Sequence, residues 1–222
     1  MPNHSFHGAP AADRSKCAFS IEVVGDGTVD AAPDRAVVVL GAITEGTSLQ
    51  EVQNENAEAV TAIIDALLAL GIPRENIQTK DFRIETQYDY VDGRQVFRGY
   101  QVTHMLQVTI EDVDDTGRVI DTAVSSGANS VTSIQFTTAQ PEAYVNQALS
   151  LAVRDAHQKA LTIAGTLGVA LAAVPSGVQQ ISRVQEPPVP FQSAMLMKSA
   201  ATPIEPGQLT YRAAVRAWYM YG

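Results

Sequence analysis

A single cysteine, Cys17, stands among the 222 residues, so neither an intrachain disulfide nor a thiolate metal cluster can form. Positive charge is also scarce. Fifteen lysines and arginines face 24 acidic residues, for a net charge of −9 and a pI near 4.8. Phosphate binding needs a concentrated basic face, so this balance speaks against nucleic acid as a partner and against polybasic docking on anionic lipid. No run approaches the roughly 18 apolar residues of a membrane span. The opening MPNHSFHGAPAADRSKC lacks the apolar centre of a secretory signal, and Arg14-Ser15-Lys16 is too polar for a lipoprotein cleavage site. The expectation from this segment is a chain that is not exported by the usual route, or one that has lost its leader.

What is present is the material of an ordered core: 45% hydrophobic and 18% charged residues. The length suits one large domain or two lobes. Residues 1–16 read as a disordered tail, and 17–222 as a single α+β domain or two lobes of one.

From Cys17 the pattern alternates, with Phe19, Ile21 and Val23 against Ala18, Ser20 and Glu22. Gly25-Asp26-Gly27 interrupts as a turn or bulge. After Ala32-Pro33-Asp34, the valine-rich Arg35–Ile43 reads as an antiparallel partner of the first strand. Ser48 and Glu51 form a capping-box pattern ahead of a helix carrying Val52, Asn56, Ala59, Ile63, Ala66 and Leu70. Gly71-Ile72-Pro73 ends that helix. Strands over Ile77–Val91 and Val96–Ile110 flank Asp92-Gly93, whose preference for positive φ predicts a type I′ hairpin. A short helix over Asp115–Ser126, a strand over Ser130–Thr138, a long helix, and strands at Val178–Arg183 and Leu209–Tyr221 complete the order. The fold class is α+β: antiparallel sheets built from hairpins, with two long helices and one short helix packed on them. A proline-rich loop spans about 186–208.

The long helix lies within Pro141–Leu171. Leu149, Val153, Ala156, Ala160, Ile163 and Leu167 recur at alternating steps of four and three and predict its buried face, with Ala148, Ala152 and Ala164 as small neighbours. Leu151 and Leu161 fall off that face, as surface residues or as a subunit contact.

Candidate chemistry is thin. Gly25-Asp26-Gly27 lacks the third glycine of a dinucleotide loop and leads towards a strand. Asp112-x-Asp114-x-Thr116-Gly117 is half of a calcium loop, but Ala123 stands where the bidentate glutamate belongs. His4, His7, His104 and His157 do not converge on a zinc site. Cys17 has no activating neighbour beyond Lys16. No serine sits in a G-x-S-x-G elbow, and Asp81 with Glu85 reads as an exposed acidic face. No cofactor, metal or catalytic residue is assigned. Tyr88, Tyr90, Phe97 and Tyr100 around the hairpin either stack on a ligand or stabilise the hairpin by cross-strand pairing. Met195-Leu196-Met197 in the proline-rich loop either meets a partner or folds back on the core.

Taken in order, Val24-Gly25-Asp26-Gly27, Pro33-Asp34, Asn56, Gly71-Ile72 and Ile77-x-Thr79 resemble the SIMPL-domain family of bacteria. So do Tyr88-x-Tyr90, Gly99-Tyr100-Gln101-Val102, Gly127-Ala128-Asn129 with Phe136, Ala156-x-x-Lys159-Ala160, Leu167-Gly168 and Pro203-x-x-Pro206-Gly207. The likeness spans about Phe19 to Tyr221. It implies a cell-envelope location, a link to oxidative-stress defence, and ring or channel-like oligomers, with no catalytic residue set to transfer. The resulting expectation is a non-enzymatic protein acting as a homo-oligomer or by binding a protein partner through Leu151, Leu161, Met195, Leu196 and Met197. The alternative is a small-molecule binder using Tyr88, Tyr90, Phe97 and Tyr100.

Overall fold

The computed structural model describes residues 19–181 and 202–222. Met195, Leu196 and Met197, together with Cys17, His4 and His7, lie outside the described residues. The described chain divides into two compact units, one built from residues 19–28, 146–181 and 212–222, the other from 29–145 and 202–211.

The second unit holds a four-stranded antiparallel sheet in the order β3-β4-β2-β5, from β2 (Arg35–Gly46), β3 (Ile77–Val91), β4 (Arg94–Ile110) and β5 (Ser130–Thr137). Helices α1 (Leu49–Ala69) and α2 (Thr116–Ser125) supply the apolar residues that cover it. Ala36, Val38, Leu40 and Ala42 meet Leu106, Val108 and Ile110 on the strands and Val60, Ile63, Leu67, Val119 and Ala123 on the helices. The buried stripe of α1 runs Val52, Asn56, Val60, Ile63, Leu67, so Val60 and Leu67 face the sheet where Ala59 and Ala66 were expected. Two ends of secondary structure follow their local chemistry. Gly71, at φ 98°, lets Ile72 N–H reach Leu67 O and Gly71 N–H reach Leu68 O, a Schellman close of α1. Asp92 and Gly93, at φ 50° and 76°, make the tight turn between β3 and β4. The expected capping box does not form: the Ser48 side chain makes no cap bond, and its carbonyl accepts from Val52 N–H instead.

The first unit holds most of a three-stranded sheet in the order β1-β7-β6, from β1 (Ser20–Ala31), β6 (Gly177–Ile181) and β7 (Leu209–Met220). One helix, α3 (Pro141–Leu167), supplies the residues packed on it. The pairing of β1 with β2 suggested by the sequence does not occur. β1 lies beside β7, where Tyr221 N–H donates to Phe19 O, and β2 pairs with β4 and β5. Its physical reason is at Ala32-Pro33-Asp34. Pro33 has no N–H to donate, and Asp34 is drawn to the end of β5, its N–H on Thr137 O and its carboxylate accepting from Ala139 N–H. Nor do Gly25 and Gly27 interrupt the first strand; β1 runs straight through them.

The face of α3 is only in part the expected one: Ala156 and Ala160 are buried as expected, and Leu149 packs against the same core. Its buried residues are Ala148, Ala152, Ala156, Ala160 and Ala164, a strict step of four, while Val153, Ile163 and Leu167 are exposed. Gly25 and Gly27 explain this. A Cβ on Gly25 would lie 2.0 Å from Ala152 O, and one on Gly27 1.9 Å from Ala148 O. The helix backbone therefore rests almost directly on the strand, and only alanine fits between them. Along such a helix the i±4 row is the ridge that packs, not the straight 3.6-residue stripe.

Candidate functional site

The step-of-four arrangement sorts α3 into four rows. Opposite the alanines stand Ser150, Arg154, Gln158, Thr162 and Thr166, all exposed. One flank carries Leu151, Asp155, Lys159, Ile163 and Leu167; the other carries Leu149, Val153, His157, Leu161 and Gly165. Leu151 and Leu161, 36% and 43% exposed, thus lie on opposite flanks and do not form one patch. A shallow groove on the first flank is lined by Val23, Val24, Gln158, Lys159, Thr162 and Ile163. The Lys159 ammonium is already engaged, 2.7 Å from an Asp155 carboxylate oxygen, 2.9 Å from Val24 O and 3.8 Å from Asp26. Asp155 holds the Lys159 pKa above its usual value, and Lys159, followed by the Asp26 N–H, holds Asp155 below its own. This is a strand-to-helix clamp built on the Asp155–Lys159 pair.

The hairpin residues behave differently. β2 pairs with β4 only as far as Gly46 opposite Tyr100, while β3 and β4 continue together to the turn. From there the two strands form a ribbon paired only to each other among the described residues. Along β3, from Phe82 in the sheet to Tyr90 in the ribbon, residues alternate in chemistry as well as direction. Phe82, Ile84, Thr86, Tyr88 and Tyr90 on β3, with Phe97 and Tyr100 on β4, share the face that bears Leu106 and Val108 lower down. On the opposite face lie Asp81, Arg83, Glu85, Gln87 and Gln101. There Arg83 pairs with Asp81 at 2.8 Å, and Glu45 accepts from Arg98 at 2.9 Å and from Gln101. The arm is amphipathic, yet its apolar side is open: Phe82, Ile84, Tyr88, Tyr90 and Phe97 are all exposed, Tyr90 by 76%.

Of the four aromatics singled out, three meet. Tyr88 and Phe97 are directly paired, with ring centroids 6.1 Å apart at 76°, and Phe97 contacts Tyr100 at 5.2 Å and 66°. Edge-to-face packing of this kind leaves no parallel slot for a planar ligand between the rings. Phe82, missed by the sequence reading, adds an edge contact to His104, which also meets the Thr79 hydroxyl at 3.1 Å. Partial burial lowers the His104 pKa, which favours the neutral ring.

The half calcium loop is a helix entrance. Asp112 accepts from Asp114 N–H, Thr116 donates to Val113 O, and Asp115 pairs with Arg118. Among the described residues no group of three or more His, Cys, Asp or Glu side chains is placed to hold a metal ion, and no helix is long and apolar enough to cross a membrane. His157 packs on Tyr219 in the first unit.

Three family positions carry the internal supports of the second unit. Asn56, fully buried, donates through Nδ2 to Ala42 O and Val102 O, tying α1 to both central strands. Asn129 exchanges two bonds with Ile43. Gly99 lies where a Cβ would stand 2.6 Å from Gly46 O, at the root of the arm. The model of the SIMPL family, described as a protein of unknown function (DUF541), matches residues 21–219. The chain belongs to the SIMPL family. It is 30% identical over 208 residues to the 26 kDa periplasmic immunogenic protein of Brucella melitensis, covering 88% of this chain and 82% of that relative. It is 27% identical over 192 residues to the uncharacterized protein YggE of Escherichia coli, covering 86% and 76%. These supports hold the SIMPL fold; the arm they anchor is the part left open.

Proposed function

We propose that this chain is a non-enzymatic SIMPL protein of the bacterial cell envelope that works by binding protein, chiefly copies of itself, through the β3–β4 arm. The observation that carries the reading is the exposed apolar face of the arm, backed by a polar face on which Arg83 pairs with Asp81 and Arg98 with Glu45. A two-stranded ribbon is only marginally stable in water by itself. One that presents aromatics outward is of the kind that a partner completes. The envelope location is supported by the Brucella relative, whose name is periplasmic. A part in stress defence follows from the family resemblance. The edge-to-face aromatic cluster favours this reading over ligand stacking by Tyr88, Tyr90, Phe97 and Tyr100. Leu151 and Leu161, on opposite flanks of α3, are secondary contacts at most.

Light scattering over a wide concentration range tests the proposal. The native chain is expected to give a defined assembly, and a Tyr88→Ser, Phe97→Ser variant with native circular dichroism is expected to lose it. A Leu151→Asp, Leu161→Asp variant should keep it. A native chain that is monomeric throughout would overturn the reading.

A further inference from the structure

The outer edge of β3 has a direction that the hydrogen bonds fix. Ile43 turns its N–H and C=O towards Asn129, away from β4. In an antiparallel ladder these directions alternate, so Ala42 and Thr44 face β4, and their partners His104 and Val102 face β2. Thr103 and Gln101 therefore face β3, and so their partners Arg83 and Glu85 face β4. Phe82, Ile84 and Thr86 are left with N–H and C=O groups pointing out of the sheet, and among the described residues nothing pairs with them. The stretch Asp81–Gln87 is also the regular part of this edge, lying between the irregularities at Thr79/Asp81 and Gln87/Tyr88. Its middle residue is Ile84.

An exposed edge of this length is a template for another strand unless the sequence blocks it. Blocking works by charge, and here the signs alternate: Asp81, Arg83, Glu85. We infer that two copies pair β3 to β3, antiparallel, about a two-fold axis at Ile84. In that register Phe82, Ile84 and Thr86 oppose Thr86, Ile84 and Phe82 of the second copy, and all three outward pairs form hydrogen-bonded rungs. Arg83 stands opposite Glu85 of the second copy, twice, on the polar face. The apolar faces of both arms fall on the same side and join. Moving the axis to Arg83 or Glu85 sets that charge against itself, which destabilises a cross-strand pair. Moving it to Phe82 runs the pairing into the irregularity at Lys80. The contact is isologous, so it closes as a dimer without leaving a sticky end. This inference rests on the self-association proposed above and names its surface and register.

Cross-linking of the full chain tests it, with Cys17→Ser removing the native thiol. In the hydrogen-bonded pair the two Ile84 Cα atoms would be about 5.5 Å apart, within disulfide reach. Ile84→Cys should give a disulfide-linked dimer under oxidation, and Arg83→Cys and Glu85→Cys should not. Charge reversal gives a second readout: Arg83→Glu or Glu85→Arg should weaken the dimer at least tenfold, and the double reversal should restore it. Cross-linking at 83 or 85 but not at 84 would overturn the register. An assembly that persists with no cross-link at any of the three and no response to charge reversal would overturn the edge contact and leave self-association standing. A native chain that stays monomeric overturns both.

Discussion

Asn129 completes with its side chain what β5 leaves unfinished with its backbone. The Ile43 N–H donates to Asn129 Oδ1 at 2.8 Å, and Asn129 Nδ2 donates back to Ile43 O at 2.7 Å, the two-way exchange of a strand pair made by one amide. β5 pairs with β2 only up to Ser130 opposite Gly41, and Gly41 O takes the Asn129 N–H. One residue thus extends the edge of β2 by a further rung and lets the chain leave α2 through Gly127, at φ 111°.

Asn129→Ala removes both bonds and should destabilise the second unit by about 1–3 kcal/mol. Asn129→Asp keeps the acceptor and loses the donor, so it should fall between. Urea unfolding reads this directly, as a lower midpoint with an unchanged slope. An alanine variant as stable as the native chain would mean that water replaces the rung without loss.

Two glycines should respond in opposite senses. Gly25→Ala puts a methyl 2.0 Å from the Ala152 backbone oxygen, with no flexible side chain to yield. A cost of at least about 3 kcal/mol is expected, at the severe end for single substitutions. Gly165 lies within α3 with nothing near its missing Cβ. There Gly165→Ala should stabilise by about 0.5–1 kcal/mol through helix propensity. Thermal melts of the pair test the close approach of α3 to β1, because a loosely packed helix would tolerate both.

The sequence makes some of this legible and hides the rest for identifiable reasons. Gly71-Ile72-Pro73 and Asp92-Gly93 act within a few residues, so their geometry follows from the local chain. The face of α3 does not. Leu149, Val153, Ile163 and Leu167 make a plausible straight stripe, and only the glycines of a distant strand decide for the alanine row. Gly25 and Gly27, two apart on one strand face, together with alanines at every fourth helical position, were the signal available. The β1–β2 pairing misled because alternation names a strand but not its partner. At the arm, the aromatics were visible, but their exposure was not. It follows from β2 stopping at Gly46 while β3 and β4 go on, and strand length relative to neighbours is a tertiary fact.

Asn56 separates loss of a bond from introduction of a charge. Its Nδ2 serves two carbonyls that also lie within the β2–β4 ladder, while Oδ1 has no hydrogen-bond partner. Asn56→Leu keeps roughly the volume, leaves those carbonyls paired in the ladder, and should cost only about 1–2 kcal/mol. Asn56→Asp places a carboxylate against two carbonyl oxygens in a dry site, so its folded pKa must rise. A raised carboxylate pKa means a penalty that is small at acid pH and grows as pH climbs above about 4, the unfolded value. Unfolding of the aspartate variant at pH 4 and pH 7 should show the larger loss at pH 7, and equal losses would show that the site takes up water.

Asp121 provides the opposite sign. Its carboxylate accepts from Thr202 N–H at 3.0 Å and from the Thr202 hydroxyl at 2.5 Å, which fixes the chain just before Pro203 and Ile204, where Ile204 packs on the core of the second unit. Those bonds, the hydroxyl's first, hold the Asp121 pKa below its ordinary value. A depressed carboxylate pKa stabilises the clasp at neutral pH, and that contribution is lost as pH falls below about 4 and through the folded value. The Thr202 amide resonance followed by NMR from pH 7 to pH 2 should therefore move with a midpoint below that of a free aspartate, and the Ile204 methyls should follow it. In Asp121→Asn the amide keeps an acceptor for Thr202 N–H but has no proton to take up, so the transition should vanish while Ile204 stays packed. A Thr202 titration that survives the asparagine substitution unchanged would place the responsible group elsewhere and remove Asp121 from the clasp.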